Sequence, residues 1–184
     1  MQWSAQRDFA GDKSVAAVIS VFVFIILTAL SGFVRVPLWF TPVPLTLQTY
    51  FVLLAGALLG ARLGALSQAG YLLLGAAGVP VFSAAGSGLA YLAGPTAGYL
   101  FGFAGAAWLL ATMLRHCRSR VLCYAAFICA NLVILACGSL WLAAASGCGF
   151  ARAWLLGALP FIPGDLLKAV AAAQTYLWLR GRLR

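Results

Sequence analysis

The chain has 184 residues, of which 64% are hydrophobic and 8% charged, where a soluble domain carries about 25% charged residues. So little polar surface cannot cover a water-soluble core of this size, and so much apolar content excludes a disordered chain; a bilayer accepts an apolar exterior if the backbone pairs internally. Twelve Lys and Arg against three Asp give a net charge of +9, but the basic residues fall between apolar runs, which is a membrane-topology pattern and not the clustered footprint of a nucleic-acid binder.

Residues 1–13 are polar and hold Arg7, Asp8, Asp12 and Lys13. Residues 14–34 then run without a charge, long enough to cross a hydrocarbon core of about 30 Å at about 1.5 Å per residue. They predict the first transmembrane helix. A cleaved signal peptide is the rival reading, with Ala29-Leu-Ser31 near its end, but the run is longer than a typical signal core and acidic residues precede it. Pro37, Pro42 and Pro44 break the helix over 35–45, because proline lacks the donor a helix needs. A second helix is expected over 46–60 and a third over 63–77, with Arg62 at the turn; each is shorter than a straight span. Residues 78–94 carry Gly, Ser and Ala but no charge, which reads as a lid folded over apolar surface.

A fourth helix is expected over 95–114, with Pro95 at its start where proline is tolerated. Arg115 to Arg120 form a basic turn, 121–145 a fifth helix, 146–160 a second Gly-containing connection, and 164–180 a sixth helix. The expected fold is an all-α membrane protein, a six-helix bundle in one integral domain over 1–184. An even helix count puts both termini on one side. With a cytoplasmic N-terminus, that side holds Arg7, Lys13, Arg62, Arg115, Arg118, Arg120, Arg180, Arg182 and Arg184, against Arg35 and Arg152 outside. This asymmetry obeys the positive-inside rule. It places the termini in the cytoplasm, the long loops on the outer face, and the protein in the inner (plasma) membrane.

Asp165 is the only carboxylate after residue 12, and an acid in a membrane helix costs roughly 2.5–3.5 kcal/mol at the helix centre. Lys168 follows at the i,i+3 spacing that shares a helix face. Pro163 and Gly164 precede Asp165, setting it in a first helical turn where the macrodipole favours an anion. Two readings stand: a ligand site at a cavity mouth, or a helix-start acid beside a lysine that snorkels to the headgroups. Thr46, Gln48 and Thr49 open the second helix, as caps or as ligand contacts. Asn131 and Gln174 read as interhelical glue. Glycines at four-residue spacing (Gly56, Gly60, Gly64; Gly94, Gly98, Gly102) signal close helix packing. Cys117, Cys123, Cys129, Cys137 and Cys148 show no metal or disulfide spacing. His116 lies among arginines in a turn, and no P-loop, HExxH or GxSxG occurs. No catalytic residue or metal site is expected, and energised transport would need a nucleotide-binding partner.

Five stretches carry a resemblance: Thr41-Pro-Val-Pro-Leu-Thr-Leu-Gln-Thr49 with Leu53-Leu-Ala-Gly-Ala-Leu-Leu-Gly60, Tyr71-Leu-Leu-Leu-Gly75 running into Gly78-Val-Pro-Val-Phe82, Gly94-Pro-Thr-Ala-Gly-Tyr-Leu100, and Pro160-Phe-Ile-Pro-Gly-Asp-Leu-Leu-Lys168. In this order, across positions 41 to 168, they resemble the BioY family of biotin-capturing substrate subunits of energy-coupling-factor transporters. The resemblance implies a non-enzymatic six-helix subunit for high-affinity biotin binding and uptake. It implies assembly with a transmembrane coupling subunit and two cytoplasmic ATPases, although some members are thought to act without a dedicated module. Such subunits usually show an Ala-xxx-Ala docking face on the first helix; here Ala16-xxx-Ser20 stands in its place. The expected ligand contacts are Asp165, Lys168, Gln48, Thr46, Ser83, Gly86 and Tyr99, with no cofactor beyond the ligand. Asp165 would accept a ureido N–H with Lys168 as its positive partner, and Arg35, Arg152 or loop hydroxyls would meet the carboxylate tail. A substrate subunit for another vitamin, a membrane enzyme and an assembly factor are the rival classes.

Overall fold

The computed structural model describes residues 15–182. Arg7, Asp8, Asp12, Lys13, Ser14 and Arg184 lie outside that range, so the topology argument loses three of its basic residues there. The first helix, α1 (Val15–Ser31), ends before Gly32. The proline-rich stretch after it is not pure coil. Its ends zip into an antiparallel ribbon, β1 (Arg35–Val36) with β2 (Leu45–Thr46), Arg35 opposite Thr46 and Val36 opposite Leu45. The three prolines fall in the loop between the strands, where no ladder bond is lost. This ribbon is the exception to an all-α expectation, and two residues per strand were too few to show as alternation.

The helix α2 (Gln48–Ala76) doubles back at Gly60, whose φ of 83° and ψ of 177° occupy a region essentially reserved for glycine. Gln48 Nε2 donates to the hydroxyl of Tyr71 at 2.5 Å, across 23 positions of chain. A Cβ added to Gly64 would lie 2.9 Å from Gly56 Cα. The arms 48–59 and 61–76 are therefore antiparallel and touching. They correspond to the second and third helices expected from sequence, with the turn at Gly60 instead of Arg62.

After α2 come a 3₁₀ turn (Ser83–Ala85) and the short α3 (Gly88–Leu92), both inside the segment expected to be a lid. Then α4 (Ala97–His116) starts two residues beyond Pro95. The next helix, α5 (Arg120–Ser146), is capped by Ser119, whose Oγ accepts from the Leu122 N–H at 3.2 Å, and it stops at Gly147 with φ 62°. The connection expected to be irregular contains a further helix, α6 (Phe150–Gly157), whose eight residues are too few for a helical period to show in the sequence. The last helix, α7 (Ile162–Arg182), follows α6 at a bend of 58°. By length and composition α4 and α5 can each cross a membrane, as can α6 and α7 taken as one bent span; α2 is as long and apolar, but its length is divided between two arms that fold back on each other.

The α2 hairpin is central, packed on α1, α4 and α7, while α4 also packs on α5. Gly56 lies against the backbone of Ala107 on α4, too close to admit a Cβ, and Gly98 and Gly102 lie against α5, whereas Gly60 has nothing within 4 Å and Gly94 meets only Tyr91, so the expectation of close packing holds for part of the glycine series. On α1, Val15, Val18, Ile19, Phe22, Val23, Ile26 and Leu30 are exposed, an apolar strip suited to lipid. Ala16 is exposed on the same helix, and Ser20 Oγ turns back to the Ala16 carbonyl at 2.8 Å. Replacing Gly60 with Ala should lower stability by about 1–3 kcal/mol, read as the thermal unfolding midpoint in detergent. An unchanged midpoint would show that the turn relaxes into ordinary backbone.

Candidate functional site

One end of the bundle holds a partly open cavity of about 530 Å³, a figure that includes open solvent at its mouth. Its wall is mostly apolar and aromatic, including Tyr91, Tyr99, Leu100, Phe103, Ile134 and Phe161. The polar exceptions are few and come from four directions. Thr46, Gln48 and Thr49 arrive from β2 and the start of α2, Ser83 from the 3₁₀ turn, Thr96 from the residue before α4, and Asp165 with Lys168 from α7.

Asp165 sits in the first turn of α7 as its only acidic residue, with its N–H donating to the Phe161 carbonyl at 2.8 Å. Its carboxylate forms an ion pair with Lys168, and the side chains of Lys168 and Asp165 are only 12% and 5% exposed. Lys168 Nζ also donates to the Thr46 carbonyl at 2.7 Å. The pair thus clasps α7 to the ribbon. Two charges so placed cancel at a distance while their remaining lone pairs and N–H groups stay available for short-range bonding.

The segment expected to be a lid is anchored by Phe82. Its fully buried ring presses on Gly75, stacks on Tyr91 with centroids 4.9 Å apart, and meets Tyr71 edge-on at 5.5 Å. Phe82 N–H donates to the Gly86 carbonyl at 3.0 Å, closing a small loop in which Ala84 and Ala85 take φ of 63° and 57°. Left-handed backbone at a residue with a Cβ costs roughly 1–2 kcal/mol, and such strain collects at ligand clamps. Here it directs Ser83 at the cavity. The hydroxyls of Ser83 and Thr49, both buried, have no hydrogen-bond partner. Buried orphan groups at a cavity wall are what a polar ligand would satisfy.

The structure therefore gathers Asp165, Lys168, Gln48, Thr46, Ser83 and Tyr99 around one space. Gly86 stands behind it, touching the ring of Tyr91, where a Cβ would clash. Tyr99 faces the cavity but spends its hydroxyl on the Gly157 carbonyl at 2.6 Å. Arg35 and Arg152 are exposed and absent from the wall. Tyr91 and Phe161 were not singled out from sequence; an aromatic in a uniformly apolar chain gives no local signal. Gln174 accepts from the Tyr124 hydroxyl, joining α7 to α5, and Asn131 is buried outside the cavity wall.

A family model described as "BioY family" matches residues 4–184. A "Probable biotin transporter BioY" of Pyrococcus horikoshii is 41% identical over 152 residues, covering 83% of this chain and 88% of the relative. The "Biotin transporter BioY" of Rhizobium etli is 39% identical over 157 residues, covering 80% and 83%. That of Thermotoga maritima is 36% identical over 158 residues, covering 86% and 92%. A solved structure, "Crystal structure at 2.1 A of the S-component for biotin from an ECF-type ABC transporter", superposes with a TM-score of 0.84 at 25% identity, covering 94% of this chain and 95% of that one.

Removing one partner of a buried ion pair strands the other charge, so Lys168→Met should cost about 3–5 kcal/mol of stability without ligand. Adding Asp165→Asn to that variant should restore most of the loss. Thermal unfolding in detergent reads both, and a double variant as unstable as the single one would mean that the pair's charges are solvated.

Proposed function

The chain belongs to the BioY family, and from that premise we infer that it is the biotin-binding substrate subunit of an energy-coupling-factor transporter, a transport protein and not an enzyme. The observation that carries the binding reading is the Asp165–Lys168 pair at the wall of an aromatic cavity whose Thr49 and Ser83 hydroxyls lack partners. Biotin matches that wall. Its bicyclic ring and valeryl chain are apolar, and its ureido group supplies two N–H donors and a carbonyl acceptor.

Asp165 accepts a ureido N–H, Lys168 donates toward the ureido carbonyl, and Ser83, Thr46, Gln48 and Thr49 complete the polar contacts. Tyr99 contributes its ring, and Gly86 acts indirectly by leaving room for Tyr91. The tail is governed by charge. Because Asp165 neutralises Lys168, the described cavity wall holds no uncompensated cation for a carboxylate. Keeping that anion deep in the cavity would cost several kcal/mol, so the tail points to the open mouth. There Arg35, Arg152 or loop hydroxyls would meet it.

In the membrane, six spans follow from α1, the two arms of α2, α4, α5 and α7, as one integral domain of the plasma membrane with both termini cytoplasmic. The basic turns at Arg62 and Arg115–Arg120 support that orientation. A transmembrane coupling subunit and two cytoplasmic ATPases supply energy, and the apolar strip of α1 around Ala16 and Ser20 is the face offered to the coupling subunit.

Titration of the detergent-purified chain with biotin, desthiobiotin and thiamine tests the ligand: biotin should bind, and thiamine should not. Asp165→Asn should weaken biotin by about 1.5–3 kcal/mol, or roughly ten- to more than a hundred-fold. Unchanged affinity in that variant would remove Asp165 from the site, and tighter binding of thiamine would replace the vitamin.

A further inference from the structure

Tyr71 stands outside the cavity wall, fully buried on the second arm of α2. Its hydroxyl donates to the Val81 carbonyl of the lid at 3.2 Å. A carbonyl only accepts, so the tyrosine proton is committed and its oxygen is left to accept from Gln48 Nε2 at 2.5 Å. Gln48 Nε2 also lies 3.4 Å from the Thr28 carbonyl on α1, a second group that can only accept. Two backbone carbonyls therefore decide which end of the Gln48 amide is the NH2. Both of its N–H groups are used internally. Gln48 Oε1 accepts from Thr46 Oγ1 at 3.3 Å and keeps a second lone pair. Gln48 lines the cavity, and acceptance is the one hydrogen-bonding role left to it there.

We propose that Tyr71 is a positioning residue for ligand recognition: its hydroxyl locks Gln48 as an acceptor facing the ligand and makes that orientation depend on the lid being seated at Val81. The inference rests on the biotin reading, because the ureido N–H groups are the donors that such an acceptor matches. When the lid lifts, Tyr71 loses its acceptor and its proton is free to turn toward Gln48. The amide then has reason to reverse and to present N–H groups to N–H groups. Seating the lid and accepting the ureido ring are thereby one event, transmitted through a single hydroxyl.

Tyr71→Phe keeps the ring contacts with Phe82 and Phe103 and deletes only the link. Stopped-flow binding of biotin to the full chain in detergent should show dissociation about ten-fold faster, the factor of one hydrogen bond, with association little changed. Gln48→Met should show a similar loss, and the double variant should be no worse than Gln48→Met alone, because both changes break one chain of contacts. A biotin analogue methylated on the ureido nitrogens should bind the unaltered protein at least about ten-fold more weakly than biotin, and that margin should narrow in Tyr71→Phe. Unchanged dissociation in Tyr71→Phe, or losses that simply add, overturns the proposal. Should that variant fail to fold, equal binding of biotin and the methylated analogue by the unaltered protein overturns it. If the unaltered protein binds no biotin at all, the ligand assignment falls and the inference falls with it; normal binding with an indifferent Tyr71→Phe sinks the inference alone.

Discussion

The molecule is organised around one ionic contact that has been withdrawn from water. Asp165 and Lys168 are both largely buried, and neither charge would be tolerable there alone. Together they fix three things. They hold the start of α7 at the cavity, they tie α7 to the ribbon through the Thr46 carbonyl, and they keep the interior near neutrality. In the proposed reading, a ligand with a polar, uncharged head and an ionised tail would enter head inward and tail outward. A cationic vitamin would find no free anion among the described residues of the wall.

The lid adds a second constraint, and it is mechanical. Phe82 is wedged over Gly75 between Tyr71 and Tyr91, so the lid is held by aromatic contacts while its tip carries left-handed backbone at Ala84 and Ala85. Contact and strain oppose each other within a few residues. In the proposed reading, a segment balanced in this way would open at modest cost and close on a ligand that satisfies Ser83. The aromatic stack would favour the seated position, and the unmet hydroxyl would make it responsive to what the cavity holds.

Much of this was legible in the sequence, for physical reasons that differ by element. Long charge-free runs revealed the major helices, because only lipid permits them. Asp165 stood out by rarity, and Lys168 by its spacing from it. Gly60 was visible as a packing glycine, but its role as a reversal point was not, since φ leaves no trace in composition. The ribbon and α6 were missed because each is shorter than the period that would betray it. Tyr91 escaped for the opposite reason: in a chain this apolar, one more aromatic carries no information until its neighbours are known. The orientation of Gln48 was beyond reach, being set by carbonyls of Thr28 and Val81 that lie far away along the chain.

The reversal at Gly60 has a consequence for the surrounding lipid. The arm 48–59 rises only about 18 Å and the arm 61–76 about 24 Å at the usual helical rise, against a hydrocarbon layer near 30 Å. If the two arms are the second and third spans of the proposed topology, a hairpin that short leaves Arg62 short of the headgroups of an undeformed bilayer. The bilayer would then thin, or headgroups and water would dip inward, around that guanidinium. Acyl-chain length would become a variable that the protein's energetics feel.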